Sequence, residues 1–149
     1  MKNLIFIVVL FSVLIGCSTN QSQDNKPGVL KDPILKVNIA VSGDPKLIKN
    51  VKLPLLLWPS FEYKDINKTG QGGHTKQGKA TFCVISETDG IEAKPKTSIE
   101  FIEDAKCLYT HFTSNEGVPH QYMVGLIKIK IPETGEEVWT WRTAVEITK

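Results

Sequence analysis

Gly73-His74-Thr75-Lys76-Gln77-Gly78-Lys79-Ala80 stops one residue short of the phosphate-cradling pattern GxxxxGK[ST]. In that pattern backbone N–H groups and a Lys hold the phosphates while the final hydroxyl reaches magnesium. Ala80 stands where the hydroxyl belongs, and the segment runs into a strand-like stretch, so no helix N-terminus would face an anion. Asn67 to Lys79 (NKTGQGGHTKQGK) therefore reads as a basic, Gly-rich surface loop, the kind of segment that carries binding residues over a rigid scaffold. Gly72, Gly73 and His74 are its candidate partner-binding residues.

The three histidines, His74, His111 and His120, share no HExxH or related spacing, and no metal site is expected. His111 alternates with Tyr109 in a strand-like run, where a half-buried structural His is the ordinary reading. A Ser–His–Asp set is defined in space rather than in sequence, but no GxSxG elbow is present and Glu133, Glu136 and Glu137 cluster at a turn. The expectation is a protein without catalysis or cofactor.

Composition narrows the partners. The chain has 149 residues, net charge +2, 41% hydrophobic and 23% charged residues, which excludes wholesale disorder. Of its 18 basic residues only Arg142 is Arg, so the forked guanidinium that reads phosphates and bases is nearly missing and nucleic acid is not an expected partner. Trp58 and Phe61 flank Pro59-Ser60 in an expected loop, with Tyr63 close behind, and these three rings are candidate exposed anchors for a protein partner. Trp139 and Trp141 are read as core.

The elements that must position these groups are strands. Leu35, Val37, Ile39 and Val41 alternate with polar or small residues, a period of two. Gln121 to Ile131 places Ile127, Ile129 and Ile131 opposite Lys128 and Lys130, and Val138 to Ile147 returns after a Gly-containing turn, an antiparallel hairpin. Pro54 and Pro59 demote Leu53 to Trp58 to an edge or extended segment. Lys79 to Ile85 and Lys106 to Phe112 read as strands. Ser98 to Ala105 fits a short helix behind a Thr97–Glu100 capping-box spacing, or equally another strand. Asp44-Pro45 is suited to start a helical turn over Lys46 to Val51. The expected fold is mainly β, an antiparallel sandwich or open barrel with at most one or two short helices and a C-terminal hairpin, over a single domain at 33–149.

At the N-terminus, Met1-Lys2-Asn3 precedes thirteen residues, LIFIVVLFSVLIG, too short to span a bilayer core that needs about 20 but suited to a signal peptide. Leu14-Ile15-Gly16-Cys17 resembles the lipobox of bacterial lipoproteins, with residues 1–16 as the signal peptide. That resemblance covers only the first 18 residues or so. It implies that Cys17 receives a diacylglyceryl group, becomes the mature N-terminus and carries palmitate-type acyl chains into the membrane. Ser18 after the Cys resembles lipoproteins sorted to the outer membrane of a Gram-negative host, with the domain facing the periplasm. An uncleaved helix or a secretory signal cleaved elsewhere would use the same run. Ser18 to Asp32 holds only Val29 and Leu30 as apolar residues, so 17–32 is expected to be a flexible tether.

Export also bears on the remaining cysteines. Cys83 and Cys107 would meet an oxidising compartment, where a pair is usually a disulfide. It would close a loop of about 25 residues, worth on the order of 3 kcal/mol. The expected job is non-enzymatic binding of another envelope protein, as an inhibitor or immunity protein against a toxin or hydrolase. An accessory subunit of a secretion, pilus or transport assembly is the first alternative, and a carrier of lipid or another apolar ligand the second.

Overall fold

The apolar–polar alternation that fills this sequence commits it to sheets, and a computed structural model describes residues 26–39, 47–68 and 78–148. Among the described residues the strands are β1 (Lys26–Leu30), β2 (Ile34–Ile39), β3 (Leu47–Lys52), β4 (Leu56–Leu57), β5 (Glu62–Lys68), β6 (Gly78–Ser86) and β7 (Ile91–Glu92). They continue with β8 (Ser98–Asp104), β9 (Tyr109–Thr113), β10 (Pro119–Tyr122), β11 (Leu126–Lys130), β12 (Glu137–Trp141) and β13 (Val145–Ile147). The single helical piece among those residues is a 3-10 turn at Arg142–Ala144. The fold is mainly β, with antiparallel pairing throughout except between β6 and β9.

The C-terminal hairpin forms as its alternation requires. In β11–β12 Ile129 faces Val138 while Lys128 faces Trp139, and Gly135 closes the turn at φ 74°. The return is shorter than the expected Val138 to Ile147. The 3-10 turn redirects the chain after Trp141, so β13 leaves the hairpin and pairs with β1 across the sheet. Gln121 and Tyr122 likewise belong to β10, in a different sheet from β11.

Of the two segments weighed as short helices, Ser98 to Ala105 takes its strand alternative, and the helical turn over Lys46 to Val51 is corrected where the structure describes the residues. Ser98–Asp104 is β8, held between β11 and β1, because alternation buries Ile99 in one apolar cluster with Phe101 packed beside it. Leu47–Lys52 is β3, paired along its full length with β2 so that Val51 meets Leu35; Asp44, Pro45 and Lys46 lie outside the described residues. The tether expected over 17–32 is corrected at Lys26–Leu30, a strand inside the five-stranded sheet β12-β11-β8-β1-β13. Composition hides it because only Val29 and Leu30 are apolar. Leu30 is 1% exposed, and a Cβ at Gly28 would come within 2.6 Å of the Glu146 carbonyl oxygen, so glycine is what lets β13 close onto this strand.

The second large sheet has the order β10-β9-β6-β5. Cys83 in β6 and Cys107, just before β9, form a disulfide with Cα atoms 5.7 Å apart. It ties this sheet to the connection that arrives from β8. One apolar cluster joins Leu30, Ile99, Ile127, Ile129 and Val138 on the five-stranded sheet. The other gathers Trp58, Cys83, Ile85, Phe112, Leu126 and Trp141 around the disulfide.

Candidate functional site

The segment Pro54 to Trp58 cannot form a full ladder, since proline lacks the N–H a ladder needs. Side chains of β12 satisfy it instead. Trp141 Nε1 donates to the Pro54 carbonyl at 2.9 Å and Thr140 Oγ1 to the Leu56 carbonyl at 2.9 Å. Trp58 and Trp139 exchange both backbone hydrogen bonds, at 2.8 and 2.7 Å. This clamp fixes where the chain turns into β5 and therefore where Phe61 and Tyr63 stand.

Trp58 is not an exposed anchor. It is 0% exposed, packs edge-on against Trp141 with centroids 5.2 Å apart, and donates from Nε1 to the Ser86 carbonyl at 2.7 Å. The loop expectation failed because the backbone bridge to Trp139 pulls the residue inside. Phe61 and Tyr63 do come together, with centroids 4.7 Å apart and planes 77° to each other. On its other side Phe61 meets Trp139, again at 4.7 Å and nearly perpendicular. The result is a row of three edge-to-face rings, a geometry favoured by the aromatic quadrupole.

The row is graded in exposure. Phe61 and Trp139 are half-buried, whereas Tyr63 is 51% exposed and its Oη accepts the Lys106 backbone N–H at 3.0 Å. Pro59 and Ser60 are exposed beside it, and an open groove of about 650 Å³ runs past Phe61 with Glu62 and Asp89 among its lining residues. Lys128, opposite Trp139 in β11, pairs with Glu137 at 2.7 Å, and this hydrogen bond holds the Glu137 carboxyl below its usual pKa. The site thus offers hard aromatic edges framed by charge, suited to burying an apolar side chain of a partner and orienting it by a polar rim.

Trp139 is the site residue that sequence reasoning missed. It shares a strand face with Trp141, and alternation alone cannot tell a ring under the sheet from one at its border. Gly72, Gly73, His74 and Cys17 lie outside the described residues. His111 is half-buried, with its ring centroid 4.5 Å from that of Phe82, and His120 stacks on Tyr122 at 5.9 Å with planes 6° apart. Among the described residues no group of three or more His, Cys, Asp and Glu side chains is placed to hold a metal ion.

Half-buried Tyr122 packs against Phe112 and Trp141 at the border of the core around the disulfide. Burial, and after it the Glu87 carboxylate, push its phenol above the ordinary value of about 10. The unfolded chain therefore releases this proton first. Stability tied to the neutral phenol is complete below pH about 10 and is lost as pH rises through the higher folded value. Tyr122→Phe, which keeps the ring contacts, is expected to flatten the alkaline fall in urea midpoint, and phenolate absorbance should lose its latest-titrating component.

No family model matches the chain, no curated protein matches it in sequence, and no solved structure matches its fold.

Proposed function

We propose that this chain is a lipoprotein of the bacterial envelope, anchored through Cys17, that binds another protein without catalysing a reaction. The observation that carries the binding reading is the row Trp139–Phe61–Tyr63, three perpendicular rings that emerge from core to solvent beside a charged groove. Tyr and Trp supply large contact area at little conformational cost and are enriched at the energetic centres of interfaces. The lipobox-like Leu14-Ile15-Gly16-Cys17 supports the anchor, and the disulfide fits an oxidising compartment.

Within that class, the role of an inhibitor or immunity protein against a toxin or hydrolase is favoured by a small stapled scaffold that presents a preformed aromatic surface. Preorganisation lowers the ordering cost of binding. Crosslinked capture from solubilised envelope, with and without added toxin or hydrolase, tests the reading. One near-stoichiometric protein is expected, and Phe61→Ala with Tyr63→Ala should weaken its capture about tenfold or more, the scale of losing an interfacial hot spot. Undiminished capture by the double variant, with unchanged far-UV circular dichroism, would sink the proposed surface. A deletion strain that suffers only when the toxin is present supports the inhibitor role; loss of one assembly's function without any toxin points to an accessory subunit.

A further inference from the structure

Tyr63 stands opposite Cys83 in the β5–β6 pair, and residues opposite each other in an antiparallel pair point to the same face. Cys83 is 0% exposed and bonded to Cys107, so this face is the one turned toward the core. Tyr63 is nevertheless 51% exposed. The cause is the place of β5 in the order β10-β9-β6-β5. Among the described residues it has a hydrogen-bonded neighbour on one side only, so the sheet ends before a further strand covers the ring.

The other edges of the two large sheets are blunted. β12 exchanges backbone hydrogen bonds with Trp58 through Trp139, and β13 is three residues long. β10 is four residues long and starts at Pro119, which has no N–H to donate. β5 runs for seven residues without proline, and Glu62, Tyr63, Lys64 and Asp65 are all exposed. The β2–β3 ribbon also has open edges, but two strands alone are a weak template and the paired rings Phe61 and Tyr63 sit at β5. An open ladder of N–H and C=O groups specifies what can cover it, namely another backbone in extended conformation.

We propose that the partner docks by adding an extended segment to β5 as a further strand of this sheet, with an apolar or aromatic side chain opposite Tyr63. That side chain points to the same face as Tyr63, so it covers the exposed ring and meets the row where it reaches solvent. The proposal rests on the reading that the chain binds another protein, and it names the way the binding is made. A second copy of this chain is a poor occupant. Antiparallel self-pairing centred on Glu62, Lys64 or Asp65 sets like charges directly opposite, and centring on Tyr63 brings Asp65 opposite Phe61. The charges thus guard the edge against its own copies, whereas a foreign segment with suitable side chains meets no such penalty.

The test uses the full chain in detergent micelles. The probe is a random library of linear peptides, matched in length to β5 and displayed on phage. Selected peptides should alternate apolar and polar residues. Methylating their backbone nitrogens one at a time should weaken binding about tenfold at every second residue and little between, because a strand donates to an edge from alternate residues. Bound peptide should slow hydrogen exchange at alternate amides of Glu62–Asp65 and leave β10 and the β2–β3 ribbon unchanged. Phe61→Ala with Tyr63→Ala should weaken the same peptides. A library that yields no binder, a methyl scan without a period of two, or protection on another strand overturns strand addition; envelope capture that still depends on the two rings then leaves the binding reading standing. No capture from the envelope overturns that reading and the proposal with it. A free chain that sediments as a dimer, with the β5 amides already protected, assigns the edge to a second copy and overturns the proposal.

Discussion

Trp58→Ala is expected to destabilise the protein by about 3–5 kcal/mol, the range for deleting a fully buried aromatic ring. Three losses coincide there. The cavity opens beside Trp141, whose ring meets Trp58 edge-on at 5.2 Å. The Ser86 carbonyl loses the indole N–H that it accepts at 2.7 Å. The bridge to Trp139 also loses the ring that packs behind it, so the clamp on Pro54 to Trp58 loosens and with it the placement of Phe61. Trp58→Phe separates these effects, because it keeps most of the apolar contact and removes the hydrogen bond, a cost of about 1–3 kcal/mol for a carbonyl left unpaired. Urea denaturation followed by far-UV circular dichroism reads both. The assignment of Trp58 to the core fails if Trp58→Ala unfolds at the wild-type midpoint.

Most of the sheet was legible because alternation is a local property. Ile127 and Ile129 against Lys128 and Lys130 specify β11 without reference to anything distant, and its pairing with β12 needs only a short turn. What alternation cannot carry is contact between remote segments. Lys26–Leu30 looks like tether because its strand character comes from neighbours, β8 on one side and β13 on the other. Ser98 to Ala105 satisfied both periods, and the outcome was decided by two partner strands waiting for hydrogen bonds. Trp58 was misplaced for the same reason: a residue between prolines carries no period, and its burial depends on a bridge to a residue 81 positions away. Phe61 and Tyr63 were found by residue type near a turn. Their alignment with Trp139 was invisible, since it depends on where β12 passes the start of β5.

Replacing Cys83 and Cys107 together by Ser is expected to cost about 4–5 kcal/mol, the upper part of the usual range for a native disulfide, of which loop closure over the 24-residue separation supplies about 3.5 kcal/mol in the chain-entropy model. The native-state consequences add to the entropy. Cys83 is 0% and Cys107 3% exposed, so two hydroxyls would be buried among Ile85, Phe112 and Leu126, where nothing in the apolar cluster is arranged to receive them. Cys→Ala at both positions removes that polar penalty and should be the milder double variant; equal losses would assign the whole effect to the unfolded chain. Reduction of the unaltered protein gives a third comparison with no change in sequence. The bond also stands beside the aromatic row. Cys107 follows Lys106, whose N–H the Tyr63 phenol accepts, and precedes Leu108, and its carbonyl presses on Gly125. Breaking the bond should therefore loosen the aromatic row and the bend at Gly125 together, even in conditions where the sheets remain folded. Hydrogen exchange at the Lys106 and Leu108 amides is the direct readout. Faster exchange there, with β11 and β12 unchanged, is the expected pattern, and uniform acceleration over the whole chain would show instead that the disulfide acts only on global stability.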